Sequence, residues 1–549
     1  MRQTIKVGLG MALMMTTALG GMTAVHAAER TQVAAADAKA DVAAGNPLLT
    51  EWKTPFGIAP FADFKPEHFV PAFDKAMADH KAEIAAITAS KDAPTFENTI
   101  AAMERAGSML DRVSSVFFNL NSSHTNDALQ AVAREMAPKL AKHSNEINLD
   151  PVLFQRIDAI YKQRDSLSLT PQEKRLLERY HLGFVRSGAQ LPPEEQQRLA
   201  AIMERLATLS NQFSQNVLAD EKEYMLVLET AEDKKGLPDF VVTSAAAAAK
   251  DRGMEGKHVI TLSRSSIEPF LTFSERRDLR EKAFRAWIAR GDNGDAQDNK
   301  ALIQEIVDLR AERAQLLGYA TFADFKLDDT MAKTPAAVMD LLLKVWDSAK
   351  TTLAEEQKML EAVARREGMT DKLQPWDWRF YAEKVRKAEF DLDQAQTKPY
   401  FQLDKMIEAM FYTATRLYGV TFEERKDIQA YHPDVRVFEV KRDGKHVALF
   451  LSDNFSRPSK RSGAWMSSFR EQQKLAGEIT PIIVNNNNFS KGKEGEPALL
   501  SFDDANTLFH EFGHGLHGIL SDVKYPGQSG TNVLRDFVEF PAQIKEHWI

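Results

Sequence analysis

Apolar residues recur at helical spacing along most of the chain. After the helix-start pair Thr334 and Pro335, Val338, Leu342 and Val345 follow three or four residues apart. The stretch LPPEEQQRLAAIMERLATLSNQFSQNVL is a second long amphipathic run. In LTPQEKRLLERYHLGF, a threonine cap, a proline and a glutamate three residues after the cap form a capping box. We therefore predict a mostly α-helical protein.

Strand patterns are few, and several lie just before residue 500. VRVFEVKRDGKHVALFLSD predicts a hairpin with Asp443 and Gly444 at its turn. TPIIVNNNNF predicts a further strand near Ile482 to Val484. An earlier pair, DFVVTS and HVITLS, predicts a minor sheet. The expected order near the C-terminus is thus a small sheet followed by a histidine-rich helix.

Composition narrows the possible chemistry. Of the 549 residues, 44% are hydrophobic and 27% are charged, as in globular proteins with a substantial core. The net charge of −8 gives no reason to expect nucleic acid as a partner. Because the chain has no cysteine, disulfides, thiolate zinc sites and cysteine nucleophiles are excluded. A transition metal would have to be held by His, Asp or Glu.

The N-terminus has the pattern of an export signal. Arg2 and Lys6 precede an uncharged stretch that runs to Val25, and Val25-His26-Ala27 offers small residues for cleavage. We predict a signal peptide at 1–27 and a flexible, Ala-rich leader at 28–46. The mature protein is then expected to be periplasmic or secreted, without stable membrane association.

The segment FDDANTLFHEFGHGLHGILSD carries the strongest chemical signal. In an α-helix, His510 and His514 lie on one face, one turn apart, where both imidazoles can reach one zinc ion. Glu511 follows the first histidine, at the place of a general base for a zinc-activated water. The alternative is a surface helix with solvated histidines.

Two features argue against that alternative. Gly513, Gly515 and Gly518 each cost about 1 kcal/mol of helix propensity relative to Ala, so close approach to a substrate or another backbone is expected. Apolar residues also surround much of the helix, which predicts burial, and buried imidazoles need partners. These residues are Leu508, Phe509, Leu516, Ile519 and Leu520.

A catalytic zinc needs a third protein ligand. The HExxHxxGxxH pattern fails, because His517 stands at its glycine and Leu520 at its third histidine. His517 is therefore interpreted as a packed or outer-shell histidine. In LRDFVEFPAQ, Glu539 is the expected third ligand, with Asp536 as an outer-shell group that orients an imidazole. The alternative for Glu539 is an exposed acid on an ordinary helix.

These motifs resemble the thimet oligopeptidase-like family of zinc metallopeptidases. The resemblance rests on TLFHEFGHGLHGIL and GTNVLRDFVEFPAQIKEHW. Upstream, APTFENTIAAMERAG, VFFNL, LGYATFADFKL, SKRSGAWMSSF and GEPALLSFDDANTLFHEFGH look like its bacterial peptidyl-dipeptidase (Dcp) branch. The similarity extends from about Pro47 to Ile549, and Ala542 stands where the family usually has serine.

The resemblance implies that His510, His514 and Glu539 bind one Zn²⁺ and that Glu511 is catalytic. It implies a mostly helical, two-lobed, zincin-like (gluzincin) fold with a small sheet beside the active-site helix and a deep central channel. We expect a helical region at 47–430 and a zinc-binding catalytic region at 431–549. The expected substrates are short, unstructured peptides that lose C-terminal dipeptides, and a monomer is expected. The segment at Gly463 to Trp465 is a candidate strand for pairing with substrate backbone, and a core strand is the alternative.

In the family, tyrosines and a histidine on a long helical segment beyond the third ligand, around a GY…GYYxY-type stretch, help to hold the oxyanion. This sequence ends ten residues after Glu539. We therefore expect a C-terminally truncated peptidyl-dipeptidase. Two alternatives stay open: an oligopeptidase of the same family that cleaves internally, and a catalytically impaired remnant that binds peptide or zinc.

Overall fold

The computed structural model describes residues 45–391, 394–492 and 495–549. The predicted signal peptide and most of the predicted leader lie outside the described residues and stay predictions. Among the described helices, none combines the length and the apolar character that crossing a membrane requires.

Helices make up most of the described chain, as the spacing of apolar residues predicts. Short 3₁₀ turns lie at Pro55–Gly57, Phe61–Asp63, Pro66–His68, Glu232–Lys234, Lys398–Tyr400 and Pro526–Gln528, and a π-helical turn lies at Phe96–Ala101. The α-helices are α1 (Phe69–Ala89), α2 (Ala102–Arg105), α3 (Ser108–Ser123), α4 (Asp127–Asn148), α5 (Pro151–Lys162), α6 (Pro171–Arg186), α7 (Pro193–Glu223), α8 (Asp239–Lys250), α9 (Arg264–Phe273), α10 (Arg277–Ile288), α11 (Lys300–Leu316), α12 (Phe322–Leu327), α13 (Pro335–Arg366), α14 (Pro375–Phe390), α15 (Gln394–Thr397), α16 (Leu403–Tyr418), α17 (Phe502–Ile519) and α18 (Phe540–Glu546).

The predicted helix starts are confirmed. The Thr170 hydroxyl accepts a hydrogen bond from the Glu173 backbone N–H, and the Glu173 carboxylate accepts one from the Thr170 backbone N–H, which completes a capping box at α6. Thr334 caps α13 through a single hydrogen bond, which its hydroxyl accepts from the backbone N–H of Ala337. Both caps satisfy backbone donors that a helix leaves free at its first turn.

The strands form two sheets. The strands are β1 (Leu226–Val227), β2 (Val259–Ile260), β3 (Val420–Glu424), β4 (Arg436–Arg442), β5 (Lys445–Phe455), β6 (Trp465–Arg470) and β7 (Ile482–Phe489). The larger sheet has the order β3-β4-β5-β7-β6, in which β5 and β7 are parallel and the other pairs antiparallel. The predicted hairpin is β4–β5, with left-handed backbone at Asp443 (φ 50°) and Gly444 (φ 73°) in its turn.

The predicted pairing of DFVVTS with HVITLS is wrong. Val259–Ile260 pairs instead with Leu226–Val227, and DFVVTS begins helix α8. The reason lies in the following residues, SAAAAAK, because alanine is the strongest helix former and extends the element through Lys250. Within this helix Val241 is buried, and Phe240 packs against the same core.

The larger sheet is covered on both faces because successive side chains along a strand point to opposite sides. On one face, Leu449, Leu451 and Val484 pack in a core shared with α1, α3 and α4. On the other face, Phe450 and Ile483 pack against α16 and α17. The predicted division at residue 430 falls within this sheet, between β3 and β4, so the N-terminal helices and the C-terminal region share one core.

Helix α17 lies close to its neighbours through its glycines. A methyl group added at Gly513 would lie 2.6 Å from the Cα atom of Ala542 and 2.8 Å from the carbonyl oxygen of Pro541, both in α18. One at Gly515 would lie 2.6 Å from Asn485 Oδ1 on β7, and one at Gly518 would meet side chains of β6 and β7. The expectation that these glycines permit close packing is confirmed. At Gly513 the close neighbour is the backbone of α18.

Gly513→Ala should therefore destabilise the protein by about 1–3 kcal/mol, because the clash with α18 outweighs the gain in helix propensity. The matched control is Gly183→Ala in α6, where an added methyl group meets no atom within 4 Å. That control should be neutral or stabilising by up to about 1 kcal/mol. Urea unfolding of both variants measures the difference, and equal stabilities would contradict the packing argument.

Candidate metal centre

Two imidazoles and one carboxylate meet beside α17. The rings of His510 and His514 have centroids 5.0 Å apart and planes inclined by 83°. Oε2 of Glu539 lies 3.2 Å from Nε2 of His510 and 3.1 Å from Nε2 of His514. Within the described part of the chain, this is the one group of three or more such side chains whose ligand atoms all lie within 4.8 Å of one another. The structure thus brings together the three residues that the sequence predicts as ligands.

Glu539 is the residue immediately before α18. Its loop is fixed by Asp536, whose carboxylate accepts hydrogen bonds from the backbone N–H groups of Met331 (2.9 Å) and Ala332 (3.0 Å). Those backbone hydrogen bonds lower the pKa of Asp536. The prediction that Asp536 orients an imidazole is therefore wrong, because this side chain ties the Glu539 loop to the segment before α13.

The carboxylate that does orient an imidazole belongs to Glu546, at the end of α18. Its Oε1 lies 2.6 Å from Nδ1 of His510, and its Oε2 accepts a hydrogen bond from Asn506 at 3.1 Å. Burial opposes ionisation, but the hydrogen bonds from His510 and Asn506 prevail and lower the pKa of Glu546. A proton on Nδ1 of His510, donated to Glu546, leaves the Nε2 lone pair free for a metal.

Sequence reasoning missed Glu546 and Asn506 as functional residues. Asn506 lies four residues before His510, on the same helical face, so its spacing was a usable signal. Glu546 had no such signal, because the fold of α18 against α17 is what brings it to the ring of His510. Lys545, its neighbour, donates a hydrogen bond to the Tyr418 hydroxyl and so ties α18 to α16.

His517 lies one turn beyond His514. Burial lowers the pKa of His517, and its Nδ1 is buried without a hydrogen-bond partner among the described residues. The described contacts include no hydrogen bond between its ring and His510, His514 or Glu539. This geometry matches a packed histidine, and no described contact supports an outer-shell role.

Glu511 points into the site from a buried position. Glu511 is 5% exposed, and its Oε2 has no hydrogen-bond partner among the described residues. Burial raises the pKa of Glu511 to about 7; the charge of His510 opposes this rise and that of Glu539 adds to it. A carboxyl group with a pKa near neutrality can both accept and release a proton at physiological pH.

The donor set fits zinc. Ligands at the corners of a tetrahedron with Zn bonds of about 2.0–2.2 Å stand about 3.3–3.6 Å apart. The Nε2-to-Oε2 distances of 3.1 and 3.2 Å are close to that value. Two imidazoles and one carboxylate leave a fourth position for water, as catalytic zinc sites require. Glu539 is 54% exposed, so the site opens to solvent on its side.

Two clefts meet at His510 and Glu511. The larger, of about 490 Å³, is lined by Trp465, Met466, His514, Arg535 and Glu539, among others. The smaller, of about 370 Å³, is lined by Arg264, Gly463, Asn506 and Thr507. Ala464, just before β6, borders both. Volumes of this size accommodate short stretches of peptide on both sides of the site.

A helical fold with this site defines a class: a metal-dependent hydrolase of the zincin type. Comparison with known proteins identifies the family within this class. The model of peptidase family M3 matches residues 270–549. The chain is 43% identical over 505 residues to the dipeptidyl carboxypeptidase of Escherichia coli K12, covering 92% of this chain and 74% of that protein.

Other relatives agree. A dipeptidyl carboxypeptidase from Salmonella typhimurium LT2 is also 43% identical with the same coverage of both chains. Oligopeptidase A of Escherichia coli K12 is 34% identical over 511 residues, with 92% of this chain and 74% of that protein covered. The chain belongs to peptidase family M3 and is a metallopeptidase, so the resemblance drawn from its motifs is confirmed.

The contact between Glu546 and His510 predicts a defect in metal binding. Glu546→Ala should weaken Zn²⁺ binding about 10- to 100-fold, because an unanchored imidazole loses both its orientation and its preferred tautomer. Competition with a chromophoric chelator measures the dissociation constant. The control is Asp158→Ala, which removes a carboxylate 3.2 Å from the ring of His181, outside the site. Equal affinities for the two variants would contradict the assignment.

Proposed function

We propose that the protein is a zinc peptidyl-dipeptidase that releases dipeptides from the C-termini of short peptides. One zinc ion would be held by His510, His514 and Glu539. The observation that carries the proposal is the convergence of both Nε2 atoms on one oxygen of Glu539, with Glu511 buried beside them. The identity of 43% to two dipeptidyl carboxypeptidases supports the specificity.

Zinc, when bound, lowers the pKa of water towards about 7 and polarises a peptide carbonyl. The protein's own contribution is made by Glu511. Its carboxylate accepts a proton from the attacking water and then delivers that proton to the nitrogen of the leaving dipeptide. The apolar side of α17 keeps this carboxylate buried, and burial holds its pKa high enough for both steps. Glu546 keeps the ring of His510 in place throughout.

Strand β6 is the proposed binding position for the substrate backbone. In the described sheet, β6 has β7 as its neighbour on one side only, and its first residues border the larger cleft. An extended peptide can pair with such an edge by strand addition. The strand predicted at Gly463 to Trp465 begins at Trp465, at the sheet edge, which favours the pairing role over a core role.

The activity test compares two peptides that differ only at the C-terminus. The zinc-loaded protein is incubated with an N-acylated pentapeptide and with its C-terminal amide, and the products are identified by mass spectrometry. We expect a dipeptide from the free acid and little cleavage of the amide. Internal cleavage of both peptides at equal rates would favour the oligopeptidase alternative, which the relationship to oligopeptidase A also suggests.

Glu511→Gln should reduce kcat by about 10²- to 10⁴-fold while zinc binding persists, because it removes the proton acceptor and leaves the proposed ligands intact. The matched control is Glu408→Gln on α16, an exposed glutamate paired with Lys405. Zinc binding without cleavage of any peptide by the wild-type protein would favour a non-catalytic remnant.

We also propose that the protein is exported. Support comes from the charged start at Arg2 and Lys6, the uncharged run that follows, and the small residues before Ala28. N-terminal sequencing of the protein purified from its native host should show a mature chain that begins at Ala28. A mature chain that still starts at Met1 would contradict export by this signal.

A further inference from the structure

Arg264, the first residue of α9, lies at the smaller cleft beside the metal centre. Its Nη2 donates a hydrogen bond to the Thr507 hydroxyl at 2.8 Å, and its Nη1 lies 3.2 Å from the carboxylate of Asp503. Thr507 and Asp503 both belong to α17, so the guanidinium is held against the helix that carries His510. The mechanism above gives this residue no role.

We propose that Arg264 recognises the free α-carboxylate of the departing dipeptide and so sets the specificity for C-terminal cleavage. This inference rests on the proposed function. Four features of the smaller cleft support it: the direction of the substrate, the distance, the charge and the state of the guanidinium.

The sheet edge gives the direction. Along β6 and the residues before it, Gly463 borders the smaller cleft, Ala464 borders both clefts, and Trp465 and Met466 border the larger. A peptide that pairs antiparallel to β6, the slightly more stable arrangement, runs from the larger cleft to the smaller. Its C-terminal residues then lie in the smaller cleft, towards Arg264.

Arg264 and the metal centre are joined by one helix. Thr507, whose hydroxyl the guanidinium contacts at 2.8 Å, precedes His510 by three residues on α17 and so lies about one helical turn from it. Two extended residues of a peptide span about 7 Å. The dipeptide beyond the scissile bond is therefore long enough to extend from the metal centre towards Arg264.

Charge makes Arg264 the recognition group. Among the described residues that line the smaller cleft, it is the one with a permanent positive charge. The acids around it already have partners: Asp503 (3.2 Å) and Asp504 (3.9 Å) pair with Arg264 itself, and Glu546 is engaged by His510 and Asn506. An incoming carboxylate thus finds one positive partner at this end of the site.

The guanidinium is held in place but is not saturated. Arginine has five N–H donors in a rigid fork that matches a carboxylate. The contacts to Thr507, Asp503 and Asp504 occupy part of this fork, and the side chain is 42% exposed. Because α17 already fixes the side chain, little conformational freedom is lost when a carboxylate binds.

The test measures how strongly each variant prefers a free acid to an amide. The kcat/KM for an N-acylated pentapeptide is divided by that for its C-terminal amide, in the wild type, in Arg264→Gln and in Arg264→Lys. We expect Arg264→Gln to lower this ratio about 10- to 100-fold, as expected for loss of a charged hydrogen bond, chiefly through the free acid. Arg264→Lys should recover part of the ratio, because lysine keeps the charge without the fork. The control is Arg105→Gln, which removes an exposed arginine paired with Glu97, outside the clefts.

A second measurement does not depend on turnover. Calorimetry compares binding of a free dipeptide and its amide to the zinc-loaded wild type and to Arg264→Gln. A preference for the free acid that disappears in the variant supports the proposal, and an equal preference in both proteins overturns it. If the wild type cleaves no peptide, the proposed function fails, and this binding comparison still decides the role of Arg264.

Discussion

The close contact of α17 with its neighbours is the constraint on which the site depends. Three glycines bring this helix against α18 on one side and against β6 and β7 on another. A metal site tolerates errors of only a few tenths of an ångström in its ligand atoms. Here two ligands come from one rigid helix, and the third precedes a second helix that touches the first at Gly513. The missing Cβ atom at that position sets the distance between the two halves of the site.

Burial on this helix also sets the chemistry. The packing that hides Leu508, Phe512 and Leu516 places Glu511 in the same dry surroundings, where its charged form is disfavoured. Glu546 lies in a more polar setting, where hydrogen bonds from His510 and Asn506 stabilise its charge. Two glutamates near one histidine thus acquire opposite properties. One is suited to exchange a proton, and the other to hold an imidazole.

The position of β6 relates the sheet to the substrate. The sheet is covered on both faces, and β6 is an edge strand whose first residues border the larger cleft at the metal centre. β6 and the two residues before it border the two clefts, so the direction of this segment would decide which end of a paired peptide meets Arg264. Substrate orientation, the metal centre and recognition of the terminal carboxylate would then depend on one sheet edge and one helix.

The sequence by itself determined the helical character, the β4–β5 hairpin, and the pair His510 and His514 with Glu511 beside it, because each of these follows from spacing within a few residues. It also indicated Glu539, through its place in LRDFVEFPAQ and through the resemblance of the surrounding motif. The same local reasoning failed at DFVVTS, where the alanines that follow extend a helix through an apparent strand, and at Asp536, whose partners lie about 200 residues away. Only the tertiary structure brought Glu546 to the ring of His510 and Arg264 to the smaller cleft. Their partners on α17 are distant in the sequence, and no periodicity encodes which side chains two packed helices will bring together.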